Sequence, residues 1–157
     1  MGFSSQNISY AFVDGSLSGN QIQQDKVHRL VIEWSRYANL TFISTTDIQN
    51  AQIRISFDST DGNWSRIGTD ALKVVSPEPT MNLAVVDDTG PANDIDTGVI
   101  LHEFGHVLGL LHEFQSPERP GHVTLKEDGK SYLILRCVHP GLFGFFLSFS
   151  GDQSIYP

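Results

Sequence analysis

Apolar residues recur along this chain with a period that switches between two and about three and a half. Residues 8–13 (ISYAFV) alternate and are rich in strand formers, which predicts a strand. Asp14-Gly15 then turns the chain, with Gly19 close behind. Over residues 21–37 the spacing becomes helical. Ile22, Val27, Leu30, Val31, Trp34 and Tyr37 share a broad face, while Gln23, Gln24, Lys26, Arg29 and Arg36 mostly take the other. Asn39 ends that helix, and residues 40–45 (LTFIST) read as a strand. Residues 51–57 (AQIRISF) set Ile53, Ile55 and Phe57 against Gln52, Arg54 and Ser56, the pattern of a half-buried strand. Residues 58–63 (DSTDGN) form a polar loop, read as a solvated turn because its spacing and ligand count fit no standard calcium pattern. Residues 64–72 make a weak strand with polar interruptions, suited to a sheet edge. Ser76-Pro77-Glu78-Pro79 breaks the chain, and residues 81–86 (MNLAVV) predict a buried strand. An acidic loop with Gly and Pro, residues 87–96, then leads into a second helix. A helix between the first two strands implies a right-handed crossover and a largely parallel sheet.

The second helix, expected over residues 97–108, carries the chemistry. Residues 97–113 read TGVILHEFGHVLGLLHE, with His102, Glu103, His106, Gly109 and His112 spaced as H-E-x-x-H-x-x-G-x-x-H. His102 and His106 are four residues apart, so on a helix they share one face and reach one small metal ion. Glu103 follows the first His directly and points beside that ion, which suits a general base for water at the metal. Gly109 stands where the helix must stop and the chain must turn; glycine accepts the left-handed conformation such a stop often needs. The turn returns His112 as a third ligand. Three neutral imidazoles with an open fourth position describe a catalytic zinc site, one Zn²⁺ per chain. Val99, Ile100, Phe104, Val107, Leu108, Leu110 and Leu111 make the helix buried on most sides, and Asp94, Asp96 and Thr97 offer capping side chains at its start. His28, His122 and His139 have no partner at ligand spacing and read as surface or core residues.

The extended motif resembles the metzincin zinc endopeptidases. Glu113 directly after the third His, and the following segment HEFQSPERPGHVTL with Arg119 and Val123-Thr124-Leu125, are similar to the astacin family. The resemblance implies an α+β, metzincin-type zincin fold with an α/β-like upper subdomain. Its twisted, mostly parallel five-stranded sheet has an antiparallel edge strand lining the cleft, with one crossover helix and one zinc-binding active-site helix. It implies a single metallopeptidase catalytic domain over 1–157: an upper subdomain at 8–112, and the start of a lower subdomain at 113–128. It also implies a zinc-dependent endopeptidase, a protein or peptide substrate bound extended along the edge strand, and an extracellular location. Gly109, Glu113 and Arg119 become supporting residues, Glu113 as a contact for a mature N-terminus or as a solvated carboxylate.

The chain departs from that pattern after His112. Its two methionines are Met1 and Met81, so no Met-containing turn follows the third His, and no tyrosine is assignable as a further ligand. The family usually carries disulfides, whereas Cys137 is the single cysteine. Residues 129–157 form an aberrant or divergent tail with a dense apolar run at 142–149, leaving the lower subdomain incomplete. Two readings of the tail stand side by side: a strand or helix hairpin closing the domain, or translated intron, since Gly129-Lys130-Ser131 can be encoded with a splice-donor sequence. The same departures leave open a zinc-binding but catalytically incompetent fragment, pseudo-enzyme or binding module.

Composition narrows the partners. With 157 residues, 39% hydrophobic and 18% charged, the chain is long enough for one domain with a core. A net charge of −8 argues against nucleic acid and against a polybasic membrane contact. No apolar run reaches the length of a membrane span, and the start MGFSSQNISY has neither a basic nor an apolar signal region, so a cytoplasmic location or an incomplete gene model stands beside the extracellular expectation.

Overall fold

A computed structural model describes residues 5–112 in full and the backbone of two further strands at 131–136 and 147–151. Strands β1 (Gln6–Phe12), β2 (Leu40–Ser44), β3 (Ile53–Ser56), β4 (Asn63–Ser65) and β5 (Met81–Leu83) form one sheet in the order β2-β1-β3-β5-β4. All neighbours are parallel except β4, which runs antiparallel to β5 at the sheet's end. Helix α1 (Gln21–Val31) makes the crossover from β1 to β2, and α2 (Asp94–Val107) follows β5. This is the α+β, largely parallel architecture the sequence predicts. Val27 and Val31 of α1, Ile53 and Ile55 of β3, Met81 and Leu83 of β5, and Ile100 and Phe104 of α2 are all fully buried in one core. That core fixes where α2 sits over the sheet.

The predicted first helix is shorter than its apolar period. Asn20 and Gln23 form a reciprocal capping box at its start, and beyond Val31 the chain tightens into a 3₁₀ helix, Ile32–Arg36. Three residues per turn bring Val31 and Trp34 onto one face, and both are buried, while Ile32 and Tyr37 turn outward.

Strand β3 is buried on both faces rather than half-buried. Arg54 is 4% exposed and Ser56 2%. The Arg54 guanidinium donates to the carbonyls of Glu78 (2.6 Å), Ala51 (3.0 Å) and Val74 (2.9 Å). Backbone groups of the segment covering the sheet's outer face therefore satisfy a charge that alternation alone assigns to solvent. Asn82 of β5 acts likewise. Its amide donates to Asp58 O and Gly62 O and accepts from Ser56 Oγ and Asp58 N, so it clamps the 58–62 loop into a turn.

The edge strand is shorter than the predicted 64–72. Pairing runs from Asn63↔Leu83 to Ser65↔Met81, with a last bond from Arg66 N to Thr80 O at 2.9 Å. Gly68 then adopts φ +52° and residues Gly68–Lys73 coil into a 3₁₀ helix. Similarly, β5 ends at Leu83; Val85 is exposed, and Val86 returns to the core.

A buried ion pair ties α1 to α2. Lys26 Nζ lies 2.9 Å from Asp96 Oδ2 and donates also to the carbonyls of Asp87 (2.6 Å) and Thr89 (3.1 Å). Asp96 accepts in addition from Asp87 N and Asn93 N. Removing one partner of such a pair leaves a charge stranded in the interior, at a cost of about 3–5 kcal/mol. The loop before α2 is thus held at both ends.

Strands β6 (Leu111–His112), β7 (Ser131–Arg136) and β8 (Leu147–Gly151) form a second, antiparallel sheet, and the β8 backbone comes alongside α2. Glu113, Arg119, His122, Cys137 and His139 lie outside the described residues.

Candidate metal centre

Helix α2 starts at a residue the apolar pattern does not mark. Asn93, not Asp94, Asp96 or Thr97, is the N-cap: its side chain accepts from Asp96 N while Asp96 accepts from Asn93 N. Asn93 has the extended backbone a cap requires, and Asp94 and Asp96 then fall in the first turn, where carboxylates favour the helix dipole.

The helix ends in a Schellman arrangement. Gly109 takes φ +87°, its N–H donates to His106 O at 2.8 Å, and Leu110 N donates to Gly105 O at 3.0 Å. Any side chain at 109 would be strained in that conformation. The reversal sends Leu111 and His112 back along the helix, and it brings Leu110 O to 2.8 Å from His106 Nδ1. A carbonyl only accepts, so His106 Nδ1 carries the proton and Nε2 keeps its lone pair free.

The three imidazoles converge. His102 Nε2 lies 3.0 Å from His106 Nε2 and 3.1 Å from His112 Nε2, and the third side of the triangle is 3.2 Å. His102 and His106 are each 7% exposed, and His112 is half-buried. Burial, with His106 and His112 adding to it, pushes His102 down to about 3. Burial also lowers His106, against the pull of the Leu110 carbonyl, and lowers His112, with His106 contributing. All three rings are therefore neutral near pH 7, the state in which imidazole ligates metal.

This cluster suits a small divalent cation. A tetrahedral zinc with bonds of about 2.0–2.1 Å holds its nitrogens about 3.3 Å apart. The observed triangle is within a few tenths of an ångström of that. Three lone pairs so close repel one another, and an electrophile between them satisfies all three together. Among the described residues this is the one group of His, Cys, Asp or Glu with ligand atoms clustered for a metal.

Glu103 sits beside the cluster on the same helix and is 4% exposed. Its Oε2 has no hydrogen-bond partner among the described residues. Burial pushes its carboxyl up to about 8. A cation held by the neighbouring imidazoles acts in the opposite sense and favours the carboxylate. His28, the other histidine described, is engaged elsewhere: its Nδ1 is 2.6 Å from Tyr10 Oη, and its ring packs edge-on against Phe12.

Comparison with known proteins gives a consistent picture. Residues 2–130 match the peptidase family described as Astacin. Zinc metalloproteinase dpy-31 of Caenorhabditis elegans is 33% identical over 123 residues, 78% of this chain and 18% of that protein. Tolloid-like protein 1 of Homo sapiens is 40% identical over 48 residues, 28% of this chain and 5% of that protein. Among solved structures, myroilysin superposes with a TM-score of 0.66 at 34% identity, covering 74% of this chain and 54% of myroilysin. The chain thus spans less than a fifth of dpy-31 and about half of myroilysin.

Proposed function

The chain belongs to the astacin family of peptidases, and from that premise we propose that it is a zinc-dependent endopeptidase, with one zinc held by His102, His106 and His112 and with Glu103 as the general base. The observation that carries this reading is the triangle of Nε2 atoms at 3.0–3.2 Å beside a buried carboxyl whose Oε2 has no hydrogen-bond partner among the described residues. Zinc bound there supplies Lewis acidity that polarises a peptide carbonyl and acidifies water.

The chain's own residues do the rest. Glu103 takes a proton from the attacking water and delivers it to the amine nitrogen as the peptide C–N bond breaks. Desolvation helps it hold that proton between the two transfers. The Leu110 carbonyl fixes the His106 tautomer, and Gly109 makes the turn that presents His112. The substrate lies extended along β4, whose outer edge has no strand beside it among the described residues. An extracellular setting belongs to the same reading and rests on family resemblance alone.

Cleavage of casein by the zinc-loaded protein tests this. Cleavage should stop with a zinc chelator and return on adding zinc; cleavage that persists unchanged in chelator overturns the proposal. Full zinc loading with no cleavage of any substrate overturns it as well.

A further inference from the structure

The sheet's edge far from the metal centre lacks the usual protection. Strand β2 is outermost there, with β1 on one side and no strand on the other among the described residues. Gln6 N donates to Asn39 O, and Thr45 N donates to Tyr10 O, so the backbone of odd-numbered residues faces β1. The N–H and C=O of Phe42 and Ser44 therefore turn outward, away from the ladder. Side chains alternate between the two faces. Phe42 is in the core, so Thr41 and Ile43 stand on the outer face; both are exposed, Ile43 by 42%. Natural sheet edges carry charges, a proline or a bulge that discourages pairing with another chain. Residues 39–45 (NLTFIST) hold no charge and no proline, and their register with β1 is unbroken from Gln6↔Leu40 to Tyr10↔Ser44. β-Branched and aromatic residues without charge are the composition that favours edge-to-edge association.

The same stretch opens on an acceptor sequence for carbohydrate. Three N-x-S/T triplets occur in the chain: Asn7-Ile8-Ser9, Asn39-Leu40-Thr41 and Asn63-Trp64-Ser65. The fold treats them differently. Asn63 lies in β4, and its Oδ1 accepts from Val85 N at 3.2 Å. Asn7 lies within β1, and the Ser9 hydroxyl of its triplet is bonded to Gln52: it accepts from Gln52 N at 3.1 Å and donates to Gln52 Oε1 at 3.4 Å. Asn39 instead precedes β2, at the centre of a tight turn closed by Leu40 N to Ala38 O at 2.8 Å. Asn39 and Thr41 are both exposed. A turn presents an acceptor triplet to a transferase, whereas a strand interior withdraws it.

Resting on the extracellular setting of the reading above, we propose that Asn39 is an N-glycosylation site whose glycan covers the free edge of β2. The co-substrate is an oligosaccharide carried on a lipid pyrophosphate. The Asn39 amide nitrogen bonds to C1 of the first sugar, the bond from C1 to the pyrophosphate breaks, and the amide gives up one proton. The attached carbohydrate is bulky and strongly hydrated. Rooted one residue before β2, it stands where a second chain would have to pair, and it supplies the protection that the side chains of residues 40–45 do not.

The test uses the full chain, expressed behind a cleavable secretion leader in a eukaryotic host and purified from the medium. Digestion with a glycan-releasing amidase should lower its mass and convert Asn39 to Asp, a change located by peptide mass spectrometry. Asn39→Gln and Thr41→Val should each abolish the carbohydrate at this position, and Thr41→Ser should keep it. In sedimentation the glycoprotein should be monomeric, whereas Asn39→Gln should shift to larger species, and Ile43→Lys added to it should restore the monomer. Trimming the glycan from the folded parent to one sugar gives the same comparison without any substitution, so a misfolded Asn39→Gln variant does not decide the outcome. Carbohydrate only at Asn7 or Asn63, or none at all, overturns the proposal. So does a trimmed protein that stays as monomeric as the parent. Absence of peptide cleavage bears on the endopeptidase reading alone, and finding the chain inside its native cells bears on the extracellular setting alone, since the leader supplies the route here.

Discussion

Replacing Glu103 with Gln leaves zinc bound and lowers peptide turnover by about two to four orders of magnitude, the usual contribution of a general base. The two side chains are nearly isosteric, so the packing around a residue only 4% exposed is kept. What is lost is the ability to accept a proton. Glu103 suits that role because its buried Oε2 has no hydrogen-bond partner among the described residues, so its accepting capacity is not used up by the fold. Metal content and steady-state rates of the two proteins, measured side by side, check this. A Glu103→Gln protein that cleaves at the parent rate removes Glu103 from the reaction.

His106→Ala has the largest expected effect on the metal. The variant leaves two imidazoles, a poor zinc site, and most of the affinity disappears. Its orientation is fixed as well: His106 Nδ1 is 2.8 Å from Leu110 O, a bond that ties the ring to the turn carrying His112. Truncation removes one ligand and loosens another. Competition against a chromophoric chelator reads the affinity directly, and a variant that retains full zinc at the parent affinity rejects the assignment.

The convergence of the three histidines is legible in the sequence because it follows from helix geometry alone. Residues four apart stack on one face, and a glycine three beyond the second marks the reversal. The order of elements along the chain is legible for a related reason: each apolar run is short, and each break carries Gly, Pro, Asp or Asn. Other features are not legible, for different reasons. Arg54, Asn82 and Lys26 are polar side chains that the hydropathy pattern sends to solvent. Each is buried because backbone or carboxylate groups from distant segments satisfy it. The Leu110 carbonyl that orients His106 carries no side-chain signal at all. The pattern makes the edge strand too long because Ile67 and Leu72 are apolar, whereas both are exposed and the ladder stops once Gly68 turns the chain. The cap at Asn93 is the most recoverable of these features: Asn followed three residues later by Asp, just before an apolar run, resembles a capping box.

X-ray absorption at the zinc edge of the loaded protein tests the central claim most directly. Three imidazoles and one further light ligand from outside the side-chain cluster should appear at about 2.0–2.1 Å, the signature of an open catalytic site. A sulfur scatterer at about 2.3 Å, a fourth imidazole, or fewer than three imidazoles contradicts it.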